Sequence, residues 1–400
     1  MSENKHKLYR KQSWSYFLYS YRISKTSLSG AIAIFGGVVV LTLILLYLLE
    51  RVQKRSGPKC ITERFPRYWM ALHLSVSKNR ILYLSEENVK KVGLSMAEII
   101  NQLEVAFREK AEGRVEMPPK PGIHPGKVDN FIHAMPAYIP ALKSAGMKWV
   151  SGFPLNHERG LPYISGLLIL NDPKTGLPIS VMDCVWITAK RTGAATAIAA
   201  KHLARPESSV VGILGCGVQG RSNLEALSVV FSLKKVKAYD VNPKASSLYA
   251  EEIEERYGLE VEEVYSPKKA VSDCDIVVTA GPILKKPHAT IQADWMDEGT
   301  FASLVDFDSY WHPDALREVD KFCTDDIPQL QHYQEIGYFQ DIPVIYADIG
   351  ELVAGSKLGR ETPEERTITC NLGLAMDDMA VAPLVYQKAL EKRVGIWLPL

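Results

Sequence analysis

From Ser95 onward apolar residues recur at helical spacing, at Ile99, Ile100, Leu103, Ala106 and Phe107, and Gly113 closes the run. A helix start precedes it, where Ser85 is followed by Glu86, Glu87 and Asn88. Pro118, Pro119, Pro121 and Pro125 then restrict the backbone to a loop. FIHAMPAYI and AGMKWVSGF read as strands. GLLILNDPKTGLPISVMD reads as a hairpin, with proline early and glycine late in its turn. The alanine-rich TGAATAIAAKHLA predicts a closely packed helix from Thr192 to Ala204. From Ser209 the pattern changes to alternating elements. Residues 210–214, 236–240, 261–264, 276–279, 301–305 and 322–324 read as short strands, with helices over 223–231 and 245–257. Such alternation predicts an α/β protein with a parallel, doubly wound sheet. The last stretch, from about Glu364, reads as one helix that returns to the first domain.

The N-terminal region stands apart. Residues 28–49, LSGAIAIFGGVVVLTLILLYLL, carry no charge and show apolar residues on every helical face. A helix of about 20 apolar residues spans the hydrocarbon core of a bilayer. The run is too long for a typical signal-peptide core, and no small-residue cleavage site follows it. It is therefore expected to anchor the chain in a membrane, with residues 51–75 as a basic linker. The flanks set no orientation: Lys5, Lys7, Arg10, Lys11, Arg22 and Lys25 precede the span, and Arg51, Lys54, Arg55, Lys59, Arg64 and Arg67 follow it. The alternative is a start at Met70, which would leave the span untranslated.

Composition narrows the chemistry. The 400 residues are 46% hydrophobic and 23% charged, with a net charge of +1, so no overall basic field points to nucleic acid. The six cysteines form no C-x-x-C pair, and no metal site is expected. H-E-x-x-H and G-x-S-x-G are both absent, which removes zincin and α/β-hydrolase readings.

One motif is sharp. In VVGILGCGVQG, Gly215, Gly217 and Gly220 form G-x-G-x-x-G between a predicted strand and a predicted helix. The three glycines permit, in turn, a tight turn, backbone approach to a pyrophosphate, and close helix–strand packing. The helix N-terminus offers free N–H groups to the phosphates. Asp240 ends the next strand, where its carboxylate accepts from both ribose hydroxyls and repels a 2′-phosphate. The cofactor is expected to be NAD, and its supply favours a cytoplasmic catalytic domain. Three cations also stand in or beside apolar segments: Lys120, Lys148 and Arg191. Converging on one pocket, they would hold a substrate carboxylate or the cofactor phosphates. Lys190, beside Arg191, reads as surface.

In this order, M-P-P-K, H-A-M-P-A-Y, K-W-V-S-G, the D-P-x-T-G hairpin, R-T-G-A-A-T, L-G-x-G-x-Q and Y-D-V-N-P resemble the ornithine cyclodeaminase/μ-crystallin family from about Ile81 to Lys392. That family holds cyclodeaminases, alanine dehydrogenases and ketimine reductases. The resemblance implies a Rossmann domain over 205–363 and a discontinuous α+β substrate-binding and dimerisation domain over 76–204 that recovers 364–392. Residues 1–75 form the N-terminal segment, and the protein is implied to be a homodimer. It further implies that Lys120, Lys148 and Arg191 contact a substrate carboxylate. Arg191 and Thr192 would lie near the cofactor, Val218, Gln219 and Asp240 would bind NAD, and Ala280 and Leu372 would line its adenine and nicotinamide ends. Asp306 matches the acid/base aspartate of the cyclodeaminases. The next aspartate, Asp308, has no such support.

Departures from the cyclodeaminase pattern point to another branch. His133 stands where a glutamate is expected, and Phe307-Asp308-Ser309-Tyr310 replaces C-P-G-K after the aspartate. M-P-A-Y and a lysine at Lys120 resemble the μ-crystallin and alanine dehydrogenase branch. The expected activity is NAD-dependent interconversion of a small amino acid with its imino or oxo acid. Lys120, His133 or Asp306 would move the protons, and histidine's ordinary pKa suits it to that work. The alternatives are an ornithine cyclodeaminase-type lyase that recycles NAD internally, and a non-catalytic binding protein.

Overall fold

The computed structural model describes residues 80–126 and 130–400. The expected membrane span at 28–49, the basic linker and Met70 lie outside the described residues. Among those described, no helix is long and apolar enough to cross a membrane.

Two sheets organise the described residues. The first has seven strands: β1 (Arg80–Leu84), β2 (Gly122–Ile123), β3 (Phe131–Ile139), β4 (Ser144–Gly152), β5 (Ile164–Asn171), β6 (Pro178–Asp183) and β15 (Ile396–Pro399). Their order is β15-β1-β6-β5-β4-β3-β2. The strand period of two divides its faces. Met135, Ala137, Ile139, Val150, Leu168 and Leu170 are buried, whereas Trp149 and Leu167, paired across β4 and β5, are exposed. Lys148 sits in the middle of the buried face, opposite Met135 and Leu168. The turn between β5 and β6 has the expected chemistry: Gly176 adopts φ +73° and its N–H donates to the Asp172 carbonyl at 2.8 Å.

Helices α1 (Glu86–Val92) and α2 (Met96–Ala111) each start in a capping box, at Ser85 and Ser95. Ile99, Ile100, Leu103, Ala106 and Phe107 of α2 are all buried. Helix α3 (Val185–Leu203) begins well before the expected Thr192 and runs through Lys190-Arg191. Lysine and arginine are good helix formers, so the pair continues the helix, and both cations find partners inside the protein. Lys190 ion-pairs with Glu225 and lies over the Trp186 ring, so it is not the surface residue expected from sequence. Arg191 reaches two buried aspartates.

The second sheet has eight strands: β7 (Val210–Leu214), β8 (Lys235–Tyr239), β9 (Glu260–Glu263), β10 (Ile276–Thr279), β11 (Phe301–Leu304), β12 (Lys321–Thr324), β13 (Ile345–Asp348) and β14 (Thr367–Cys370). Every pairing in it is parallel, in the order β13-β12-β14-β11-β10-β7-β8-β9. The sequence order runs outward from β7 through β8 and β9, then crosses back to β10. The ends of β7 and β10 therefore form the topological switch point, where α/β sheets bind ligands. Helix α4 (Val218–Val230) follows Gly217 directly, earlier than expected, and α5 (Pro243–Tyr257) follows β8.

One expectation fails here. The single helix read from about Glu364 is a strand followed by a helix. Thr367–Cys370 is β14, buried on both faces between β11 and β12, and the helix α7 (Ala375–Lys392) begins only after it. The β-branched Thr367, Ile368 and Thr369 suit a doubly buried strand. The short turn 371–374 thus joins the parallel sheet to α7, which packs on β3 and β4 of the other sheet.

Candidate active site

The glycine-rich turn sits at the switch point. Gly215 leaves β7 with φ +105°, and a Cβ there would lie 2.6 Å from the Ala280 carbonyl oxygen beyond β10. A Cβ on Gly220 would lie 2.3 Å from the Gly215 carbonyl oxygen, so only glycine lets α4 approach the turn. Gly217 differs: a Cβ on it would meet nothing within 4 Å. That space lies at the N-terminus of α4, where no side chain caps the helix. Free N–H groups facing open space fit a pyrophosphate.

Asp240, just beyond β8, ties into the same turn. Its carboxylate accepts from the Cys216 N–H and the Asn242 N–H, each at 2.9 Å. Val218 is 62% exposed beside it, as an open cofactor groove requires. These residues fit a dinucleotide whose adenosine ribose lies at Asp240 and whose phosphates lie at Gly217.

A cavity of about 710 Å³ opens next to this turn. Among the expected site residues, Lys120, His133, Lys148, Arg191, Thr192, Gln219, Ala280 and Leu372 line it. The aromatic rings of Phe131, Tyr163, Phe307, Tyr333 and Tyr338 complete much of its wall. No aspartate or glutamate lines it among the described residues.

Behind the cations stands an acidic layer that motif reasoning missed. Lys148 Nζ lies 2.6 Å from Asp378 Oδ2, and Thr188 accepts from the same ammonium at 3.3 Å. Arg191 lies 3.5 Å from both Asp377 Oδ2 and Asp378 Oδ1. Lys120 Nζ donates to the carbonyls of Leu372 (2.8 Å) and Gly373 (3.2 Å) and lies 5.2 Å from the Tyr333 ring centre. Asp325, after β12, accepts from the Gly373 N–H at 2.7 Å. The available signal was two adjacent aspartates inside the otherwise apolar LGLAMDDMAVAPL, where a buried charge needs a partner.

Burial dominates the ionisation of these groups. It pulls Lys120 down to about 7, opposed by the attraction of Asp325 and aided by Arg191 and Lys148. It lowers Lys148 as well, against Asp378. Asp377 rises to about 7 by burial, and Arg191 opposes that shift. His133 falls to about 3, through burial and then repulsion by Lys120, so its ring is neutral at physiological pH. The ordinary histidine pKa that suggested acid–base work does not hold at this position. The ring instead stacks on Phe131, with centroids 4.5 Å apart.

Asp306 is placed differently from expectation. It lies under the cavity floor, 1% exposed, and is absent from the lining. Its carboxylate accepts from the Thr279 hydroxyl at 2.6 Å and the Gly281 N–H at 2.8 Å, and burial raises it to about 7. Asp308 is also buried, which raises it to about 6. Tyr310 packs against Gly281 from the same segment.

Residues 82–393 match the ornithine cyclodeaminase/mu-crystallin family. Alanine dehydrogenase of Archaeoglobus fulgidus is 42% identical over 322 residues, spanning 78% of this chain and 97% of that protein. Among solved structures, Δ1-pyrroline-2-carboxylate reductase of Thermococcus litoralis, in complex with NADH and L-proline, superposes with a TM-score of 0.73 at 35% identity. That match covers 79% of this chain and 99% of the other. An archaeal alanine dehydrogenase dimer with bound NAD gives a TM-score of 0.72 at 39% identity, covering 80% and 99%.

Proposed function

The chain belongs to the ornithine cyclodeaminase/mu-crystallin family, as an NAD-dependent oxidoreductase of small amino and imino acids, and on that premise we propose which side chains do the work. The observation that carries the reading is the convergence of Lys120, Lys148 and Arg191 on one cavity at the switch point. NAD would be held by Gly215, Gly217, Val218, Gln219, Gly220 and Asp240, with Thr192, Ala280 and Leu372 toward the cavity, and would supply hydride exchange at its nicotinamide ring.

Arg191 and Lys148 bind the substrate carboxylate. Asp377 and Asp378 hold these cations from behind, so both are fixed before substrate arrives, which is the positional advantage an enzyme needs. Lys120 carries the proton. Its lowered pKa lets the neutral amine take a proton from the substrate ammonium in the oxidative direction, and lets the ammonium return one in the reductive direction. His133 presents a neutral hydrogen-bonding ring to the substrate. Asp306 acts through Gly281, fixing the loop beyond β10 rather than touching substrate.

A cyclodeaminase must also accommodate the distal ammonium of a diamino acid. The cavity lining offers no carboxylate to it among the described residues, and Lys120, Lys148 and Arg191 repel it. This disfavours the lyase. The exposed Trp149, Leu167 and Tyr138 on the outer face of the first sheet support a homodimer built on that face. Demand for NAD supports a cytoplasmic catalytic domain. Membrane anchoring rests on the composition of residues 28–49 alone.

The test is NADH absorbance with the purified protein. Amino acids are offered with NAD, and 2-oxo acids with ammonia or methylamine, and cyclic imino acids, with NADH. Net NADH change with a member of the panel is the expected result. Ammonia release from ornithine with no net NADH change would overturn the reading in favour of the lyase.

A further inference from the structure

We propose that Asp325, which does not line the cavity, is a positioning residue for Lys120, acting through both its charge and the Leu372–Gly373 turn. The inference rests on the reading of Lys120 as the proton-carrying group.

The turn is held from three sides. Thr324, at the end of β12, donates its hydroxyl to the Cys370 carbonyl at 2.9 Å, which fixes the end of β14 beside β12. The next residue, Asp325, accepts the Gly373 N–H at 2.7 Å. Beyond it, the Leu374 N–H donates to Asp377 Oδ2 at 3.1 Å, and that same oxygen faces Arg191. Held in this way, the turn points the Leu372 and Gly373 carbonyls at Lys120 Nζ. Gly373 adopts φ +75°, and a Cβ there would lie 2.5 Å from Arg191 Nη1. One turn therefore sets the place of two cavity cations.

Asp325 is fully enclosed and accepts from the backbone N–H groups of Leu372 and Gly373, and a carboxylate is a costly choice for a residue whose only task is to hold a turn. A charged group makes sense through its field. The groups that face Lys120 are Asp325 beyond β12, Arg191 on α3, Lys148 on β4, Asp378 on α7, the neutral His133 on β3 and the Tyr333 ring of α6 (Ile327–Glu335). Arg191 and Lys148 disfavour the ammonium, and Asp378 is already paired to Lys148 at 2.6 Å. Asp325 is the largest attraction that keeps Lys120 chargeable in a buried site.

Two variants separate the carboxylate's charge from its hydrogen bond. Asp325→Asn keeps an oxygen for the Gly373 N–H and removes the charge, whereas Asp325→Ala removes both. The full chain is labelled with acetic anhydride across a pH series, and acetylation of Lys120 is read by mass spectrometry. Circular dichroism establishes that each variant is folded. The midpoint of Lys120 acetylation is expected to move to lower pH in Asp325→Asn. In Asp325→Ala, kcat/KM is expected to fall on the order of 100-fold as the turn loosens, the size of effect that a misplacement of about 1 Å produces. An unchanged Lys120 midpoint in folded Asp325→Asn overturns the proposal. A shifted midpoint in a protein whose wild type turns over no amino, imino or oxo acid overturns the catalytic reading of Lys120 and leaves the positioning intact.

Discussion

Lys148 and Asp378 face each other at 2.6 Å with 1% and 0% of their side chains exposed. One comes from β4 of the first sheet and the other from the C-terminal helix α7, so the pair joins two segments far apart in the chain. Arg191 lies 3.5 Å from the same carboxylate, which places a second cation in the arrangement. Removing one member leaves an unpaired charge on a side chain that is almost wholly buried.

Asp378→Ala is accordingly expected to cost about 3–5 kcal/mol of folding stability, the penalty of stranding a buried charge. Lys148→Met is expected to cost less, because Arg191 still faces Asp378. The double variant Lys148→Met/Asp378→Leu should recover most of the loss in stability while activity stays low. Urea unfolding of the four proteins measures the coupling. Costs that simply add would mean that the ion pair contributes nothing to the fold.

Lys120 predicts a pH profile with opposite signs in the two directions. Below about 7 it holds its proton, so oxidation of the amino acid loses its base and kcat/KM falls as pH decreases. Reduction of the imine needs the ammonium and falls as pH rises through the same value. Lys120→Arg keeps a charge but does not titrate in this range, so both limbs should vanish along with most of the activity. Profiles measured in both directions check this. A limb that survives in Lys120→Arg would assign the titration to another group, of which Asp306 and Asp377, both raised to about 7, are the first to examine.

The parts of this site legible in the sequence are those made by local chemistry. The glycine turn, Asp240 and the three cations each announce themselves through a residue type that is odd for its segment. The acidic layer is legible only in part: Asp377 and Asp378 are odd in their apolar segment, but their partners, and the role of Asp325, appear only when distant segments meet. The same limit explains β14: Thr367–Cys370 is helical by its neighbours and a strand by its position between β11 and β12. His133 shows a further limit, since burial and Lys120 remove the titration that its residue type suggests.

Asp240 predicts the choice of cofactor. Its carboxylate, anchored by the Cys216 and Asn242 N–H groups, is the group proposed to hold the adenosine ribose. Asp240→Ser removes the charge-assisted bonds to the ribose, worth about 1.5–3 kcal/mol each, and the repulsion of a 2′-phosphate. NAD affinity should fall by roughly 10-fold or more, and the preference over NADP should shrink. Fluorescence titration with NADH and NADPH measures both. An unchanged NADH/NADPH ratio would show that Asp240 does not face the ribose.

The glycine turn separates folding from binding. An alanine Cβ at 220 would lie 2.3 Å from the Gly215 carbonyl, and neither backbone can yield without moving α4. Gly220→Ala is thus expected to lose about 1–3 kcal/mol of stability, the usual cost of overpacking, and cofactor affinity with it. An alanine Cβ at 217 meets nothing within 4 Å, and the backbone there has φ −88°, which any residue adopts. Gly217→Ala should keep wild-type stability and lose NADH affinity, because the added methyl occupies the space left for the pyrophosphate. Thermal unfolding without cofactor and NADH titration, run on both variants, give the two readouts. If Gly217→Ala binds NADH as tightly as wild type, the phosphates do not lie at the N-terminus of α4, and the assignment of the groove fails with them.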